Sequence, residues 1–426
     1  MMIEIFQLII VVISIPILLF FIPYCIKNRN LKSLKYLTIV LLFQNILSLF
    51  ASNAISGSLG KIIILYKDII LWGIVILYTI SSLKIRYAII PLLFFCIYLL
   101  LEFLQGSVDM YTRLVCFRQL LTPVILIIYG RALKLRQCDI YDYTRFLIKL
   151  GLYQAVFGLV ERLVLGDEFW ISLNISTLFD NKGFSKWAMS GLPGNYYSFD
   201  FYLLIGEGVK RLVGITTDPL LTAHYLALCL VFLIITGKEY CKNIKIAFFF
   251  ILVATVLTLS KGGMLIIVVA YICLLREKSK KISYVAFMVV ALGLFVLIQN
   301  NLLRTLAIHI LGITSAFENV SMFGNGIGTA GNLASLGGGS ITAGESFWGL
   351  ILGQLGVFGL ILFVFMISAV LKAALKYNKE KICYAVIIYV IAVMIEGIVS
   401  ESAINYVGSG CGFIMLGVLS KNEYNV

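Results

Sequence analysis

The sequence predicts an all-α integral membrane protein, a polytopic bundle of about 12–13 transmembrane helices with two long extracytoplasmic loops. Three observations predict it. Apolar residues make up 61% of the 426-residue chain and charged residues only 13%. Continuously apolar stretches of bilayer-spanning length recur from end to end, without the period-two alternation of a membrane barrel. Lysine and arginine gather at alternate junctions between those stretches, the pattern that sets membrane orientation.

The apolar stretches are residues 3–26, 36–54, 62–83, 87–104, 114–130, 146–165, 219–237, 246–259, 262–275, 282–298, 347–371 and 382–399, with a Gly-containing candidate at 404–419. The first has neither a basic start nor a small-residue cleavage site, so it reads as a retained span rather than a signal peptide. The stretches at 246–259 and 262–275 are short and are expected to meet within the outer leaflet, with Gly262 and Gly263 serving a tight reversal. Alternate junctions hold 23 of the 34 basic residues and a net charge of +17, against −4 elsewhere. Those junctions are therefore expected to be cytoplasmic and the N-terminus outside. The positive charge is a topology signal and gives no reason to expect nucleic-acid binding.

The resulting organisation is an N-terminal transmembrane bundle (1–165), a first outer loop (166–218), central helices with an outer turn at 260–263 (219–298), a second outer loop (299–346) and C-terminal helices (347–426). Every cytoplasmic loop is short, which leaves no room for a nucleotide-binding domain and places any chemistry outside. Nine scattered cysteines form no disulfide framework or zinc pattern, and His224 and His309 lack companion ligands, so no metal or other cofactor is expected.

The first outer loop is rich in aromatic residues, Trp187 and Tyr196 among them, which suit stacking on sugars or resting at the lipid headgroup level. It ends in Lys210 and Arg211, a pair placed to clamp phosphate or to snorkel, followed by Gly214, Asp218 and Pro219. The second holds GNGIGTAGNLASLGGGS at 324–340, with no strand before it and no dinucleotide-binding context; it reads as a mobile backbone near a ligand or a flexible linker. It leads to Glu345, which suits a general base or a helix N-terminal charge. Lys67, Asp68, Arg118, Glu161, Arg162 and Glu396 fall at membrane depth, where ionisable residues form internal pairs or contact substrate.

Three segments resemble the O-antigen ligase and O-antigen polymerase superfamily of bacterial envelope enzymes. They are RLVGITTDPLLTAHYLAL at 211–228, TLSKGGMLIIVVAYICLL at 258–275, and GNGIGTAG followed by GESFWGLILGQLGVFGLILF at 344–363. The resemblance covers about the C-terminal half and lies in the order of these short motifs. It implies a C-type membrane glycosyltransferase-like fold in the bacterial inner (plasma) membrane, with a site on the periplasmic or extracytoplasmic side. The substrate would be an undecaprenyl-pyrophosphate-linked oligosaccharide. Membrane lipid, a chain-length regulator and a flippase of the same pathway would be the partners.

Carried over by position, Arg211 and Lys261 would neutralise the pyrophosphate, with Lys210 and Arg304 assisting, and Glu345 would activate the acceptor hydroxyl. Asp218, His224, Arg118, Trp187 and Tyr196 complete the expected substrate contacts. Lys261 stands where the family carries an arginine, and Glu345 where its ligases carry a histidine. The second departure favours a polysaccharide repeat-unit polymerase over a ligase. A flippase or other transporter is the rival from a different class, and an assembly subunit without chemistry is a third.

Overall fold

The computed structural model describes residues 20, 24, 28–54, 72, 73, 90–181, 191–200, 202, 206–237, 243–278, 314–318, 320–335 and 345–421. The expected spans at 3–26, 62–83 and 282–298 lie wholly or almost wholly outside the described residues, as do Lys67, Asp68, Trp187, Arg304 and His309. The described chain is mostly helical, with one two-stranded sheet. Its principal helices are α1 (Leu31–Ala54), α2 (Ile90–Gln105), α3 (Met110–Ala132), α4 (Gln137–Val160), α5 (Gly166–Ser172), α6 (Ile175–Asn181), α7 (Pro219–Thr236), α8 (Ile244–Leu257), α9 (Lys261–Lys278), α10 (Asn332–Ser335), α11 (Phe347–Tyr377), α12 (Lys381–Glu396) and α13 (Gly410–Leu419). Four of them, α1, α3, α7 and α11, are long and apolar enough to cross a membrane. The fold is that of an all-α membrane protein.

One end of the bundle gathers basic junctions. Arg131 at the end of α3 donates to the Ser420 carbonyl (3.0 Å) and hydroxyl (2.7 Å), and the Lys134 amide donates to Arg29 O (2.6 Å). Gln137 and Tyr141 reach Glu380 at 3.0 and 2.8 Å. The opposite end holds the start of α3, the end of α4, the α8–α9 reversal and the start of α11. Strand β1 (Tyr197–Ser198) pairs antiparallel with β2 (Val209–Lys210), between α6 and α7 in the chain.

At the centre, α3 lies directly on α13. A Cβ on Gly130 would meet the Ile414 carbonyl, and one on Gly417 would meet that of Ile127, so the two backbones touch. Small residues permit such approach between apolar helices. Every residue of α13 is buried. Its ten residues rise about 15 Å, half the thickness of a bilayer core. The candidate span at 404–419 is therefore a short interior helix.

The α8–α9 reversal is tighter than expected and built differently. Its left-handed residue is Leu259 (φ 50°), while Gly262 and Gly263 already lie in α9. Packing explains those glycines. A Cβ on Gly262 would strike the Glu396 carboxyl group, and one on Gly263 would come 2.8 Å from the Ala223 Cβ. The carbonyl of Leu257, exposed where α8 ends, accepts from the Leu212 amide (2.8 Å) and from Arg162 (3.2 Å). The first outer loop thus satisfies a helix end that lipid could not.

The glycine-rich segment is another correction. Residues 336–340 of the expected 324–340 segment lie outside the described residues, and residues 321–331 form a strap hydrogen-bonded to a break in α11. Gly356 (φ 67°, ψ −170°) interrupts that helix, and the freed amides of Val357 and Phe358 donate to Ser321 O (3.1 Å) and Met322 O (3.0 Å). Gln354 then accepts from the Gly328 amide (3.2 Å) and donates to Ala330 O (2.5 Å), while its own carbonyl receives the Asn325 and Gly326 amides. Gly324, Gly326, Gly328 and Gly331 all have positive φ, and Ile327 is fully buried.

Candidate functional site

The end of α4 prepares the site. After Val160 the helix widens into a π turn, Glu161–Leu165, that ends at Gly166. Glu161 is fully buried. It accepts from the Trp170 indole (2.8 Å) and the Val213 amide (3.2 Å) and lies 3.7 Å from Lys210 Nζ. A buried carboxylate with these partners anchors the first outer loop to the bundle, an internal role rather than a substrate contact.

Residues 213–218 form a compact turn that feeds α7. Gly214 (φ 72°) lies against Gln154 of α4, which donates to the Thr222 hydroxyl (2.8 Å) and accepts from the Ile215 amide (3.1 Å). Asn45 of α1 donates to Thr216 O at 2.6 Å. Asp218 caps α7 by accepting from Leu220 N (2.8 Å) and Leu221 N (3.3 Å), with Pro219 in the first turn. The Gly-x-Thr-Thr-Asp-Pro run is a pinned entry to α7 that fixes where Arg211 sits.

Lys210 and Arg211 do not act as a pair. Their charged partners differ. Lys210 turns toward Asp167, Nζ to Oδ1 2.6 Å, and toward Glu161. Burial raises the Asp167 carboxyl, but Lys210 and the Tyr197 hydroxyl more than offset it, leaving it below its ordinary value. Lys210 is an internal counter-ion.

Arg211 is set differently. Among the described residues no carboxylate lies within ion-pairing distance of its guanidinium, and Nε is buried with no hydrogen-bond partner. Burial pulls its pKa below the ordinary value, while the charges of Asp200, Asp218 and Glu345 oppose that shift. Lys261, the first residue of α9, pairs with Asp200 at 2.8 Å. Lys261 is thus tied to Asp200 by a direct ion pair, while the charges of Asp200 and Glu345 both act on Arg211.

Glu345 is exposed just before α11, not buried as activation of a general base by desolvation would ask. The buried partner is Ser346, which caps α11 by accepting from the Gly349 amide (3.1 Å) and donates to Gly397 O (3.3 Å). A second carboxylate, Glu401, is buried beside this corner. It accepts from Gln119 (3.1 Å) and the Asn332 amide (2.8 Å). Burial raises its pKa, with the Glu345 charge adding and Asn332 and Gln119 opposing.

The other expected contacts lie elsewhere. Tyr196 is fully buried against Trp170 and Phe179, and its hydroxyl donates to Thr217 O at 3.2 Å. It is core of the 166–218 loop, where the exposed aromatics among the described residues are Phe199 and Tyr202. His224 points into the bundle, Nε2 2.6 Å from Glu396 Oε1, and does not line the outer cluster. Asp218 is engaged as a helix cap. Arg118 lies on α3 next to Gln119, the residue that holds Glu401.

Asp200, Glu401, Gln154 and Asn45 were not visible as site residues in the sequence. Asp200 stands among the loop aromatics with no motif around it, and the other three act only across helices. No protein-family model matches this chain, and neither a curated protein nor a solved structure is significantly similar to it.

Proposed function

We propose that this protein is a polysaccharide repeat-unit polymerase of the O-antigen or capsule type. It joins undecaprenyl-pyrophosphate-linked oligosaccharides at the outer leaflet of the bacterial plasma membrane. The observation that carries the reading is Arg211: a largely buried guanidinium with no direct counter-ion among the described residues. Holding a cation that way is costly unless an anion completes the site. A pyrophosphate offers oxygens that match the guanidinium fork and neutralise its charge.

In the reaction, an acceptor sugar hydroxyl attacks the anomeric carbon of the donor. The bond from that carbon to the pyrophosphate oxygen breaks, and its electron pair stays on the leaving group. Arg211 and Lys261 stabilise that developing charge. Glu345, whose charge is felt at Arg211, takes the hydroxyl proton. Lys210 supports the site from behind by holding Asp167 and Glu161.

Deletion of the gene, with complementation by Arg211→Ala or Glu345→Gln, tests this. Either variant, present in the membrane at wild-type level, is expected to leave surface glycan as single repeat units. The expected loss of polymer is about 100-fold or more, the effect of removing a charge that stabilises the transition state. Long-chain glycan that persists with either variant would overturn the assignment.

A further inference from the structure

Asp200 joins the first long loop to the start of α9. It lies just beyond the end of β1, and its side chain is 6% exposed. One carboxylate oxygen lies 2.8 Å from Lys261 Nζ. The other accepts from the Ser198 hydroxyl at 2.8 Å. Its charge also acts on Arg211, as the first of the three carboxylates that oppose the effect of burial there. The remaining two have other settings, since Asp218 caps α7 and Glu345 stands exposed before α11. Asp200 thus occupies the position on the Lys261 ammonium that a phosphate oxygen would take.

We propose that Asp200 is an internal counter-anion that holds the anion seat of Lys261 and Arg211 and yields it to the pyrophosphate of the lipid-linked substrate. The proposal rests on the reading above that the ligand carries a pyrophosphate. Exchange has a clear use. A site of bare cations would retain the pyrophosphate product of each transfer. A carboxylate ready to return to Lys261 competes with that product and speeds its departure. The same competition lowers affinity for every pyrophosphate ligand.

The sign of one substitution decides between this role and simple support of Lys261. The probe is inorganic pyrophosphate, titrated calorimetrically into the purified full-length protein in nanodiscs. Asp200→Asn is expected to bind about three- to tenfold more tightly than wild type, since binding no longer breaks a part-exposed ion pair. Asp200→Ser should do the same, and covers the case in which the asparagine variant fails to fold. Asp200→Glu should bind like wild type, and Lys261→Met added to Asp200→Asn should remove the gain. Unchanged or weaker binding in both neutral variants would overturn the proposal and make Asp200 a support for Lys261. If wild type binds pyrophosphate and Arg211→Ala weakens it, that result leaves the polymerase reading standing. If no variant binds pyrophosphate, both fall.

Discussion

Gly356→Ala is expected to destabilise the protein severely. Gly356 has φ 67° and ψ −170°, a region essentially reserved for glycine. Placing alanine there costs about 1–3 kcal/mol in backbone strain. The new methyl would also meet backbone on every side: the Gly324 amide nitrogen, the Ser321 carbonyl and, at 2.8 Å, the Met322 carbonyl. No flexible side chain is there to move aside, so overpacking adds about 1–3 kcal/mol. The alternative, a regular helix through residue 356, would discard the bonds from Val357 and Phe358 to the strap and release residues 321–331. Thermal unfolding in detergent, followed by tryptophan fluorescence and size exclusion, should show a fall in Tm of about 5 °C or more. A Tm within about 1 °C of wild type would show that the strap does not depend on this break.

That prediction marks where sequence reasoning stopped. Hydropathy located the long helices because bilayer-length apolar runs are readable one residue at a time, but α4 begins nine residues before its expected run, and α5, α6 and α10 lie in the expected loops. Glycines are harder to read. In the 324–331 run they resembled a flexible linker, because sequence does not show that Gln354 and Gly356, some thirty residues on, hold that backbone in place. At 262 and 263 they resembled a turn, while their purpose was to admit Glu396 and Ala223 from other helices. The same limit applies to the candidate site. Arg211, Lys261 and Glu345 were accessible through motif order, but Asp200, whose charge acts on two of them, is a single residue in a loop. Adjacency in sequence suggested that Lys210 and Arg211 share a clamp, whereas Lys210 is paired with Asp167.

The second large effect concerns His224 and Glu396, the most deeply buried ionisable pair among the described residues. His224 is fully buried and Glu396 nearly so, with Nε2 and Oε1 2.6 Å apart. Glu396 Oε2 has no hydrogen-bond partner among the described residues. His224→Leu would leave the other carboxylate oxygen bare as well, inside the bundle. Removing one member of a buried pair costs about 3–5 kcal/mol, whereas replacing both with apolar groups of similar volume is often neutral. The double variant His224→Leu/Glu396→Met is therefore expected to be more stable than His224→Leu alone. Methionine is chosen because it is unbranched and can follow the path of the glutamate over Gly262. The coupling should be about 0.5–3 kcal/mol, read as a partial recovery of Tm. If the two substitutions simply add, the pair is not coupled and each residue must have separate partners. A further readout separates structure from chemistry. Both residues lie beneath Lys261, since Glu396 packs on Gly262, and neither lies in the outer cluster. A folded double variant should therefore still make long-chain glycan, where Arg211→Ala should not. Loss of polymer with Tm restored would return His224 to the substrate path.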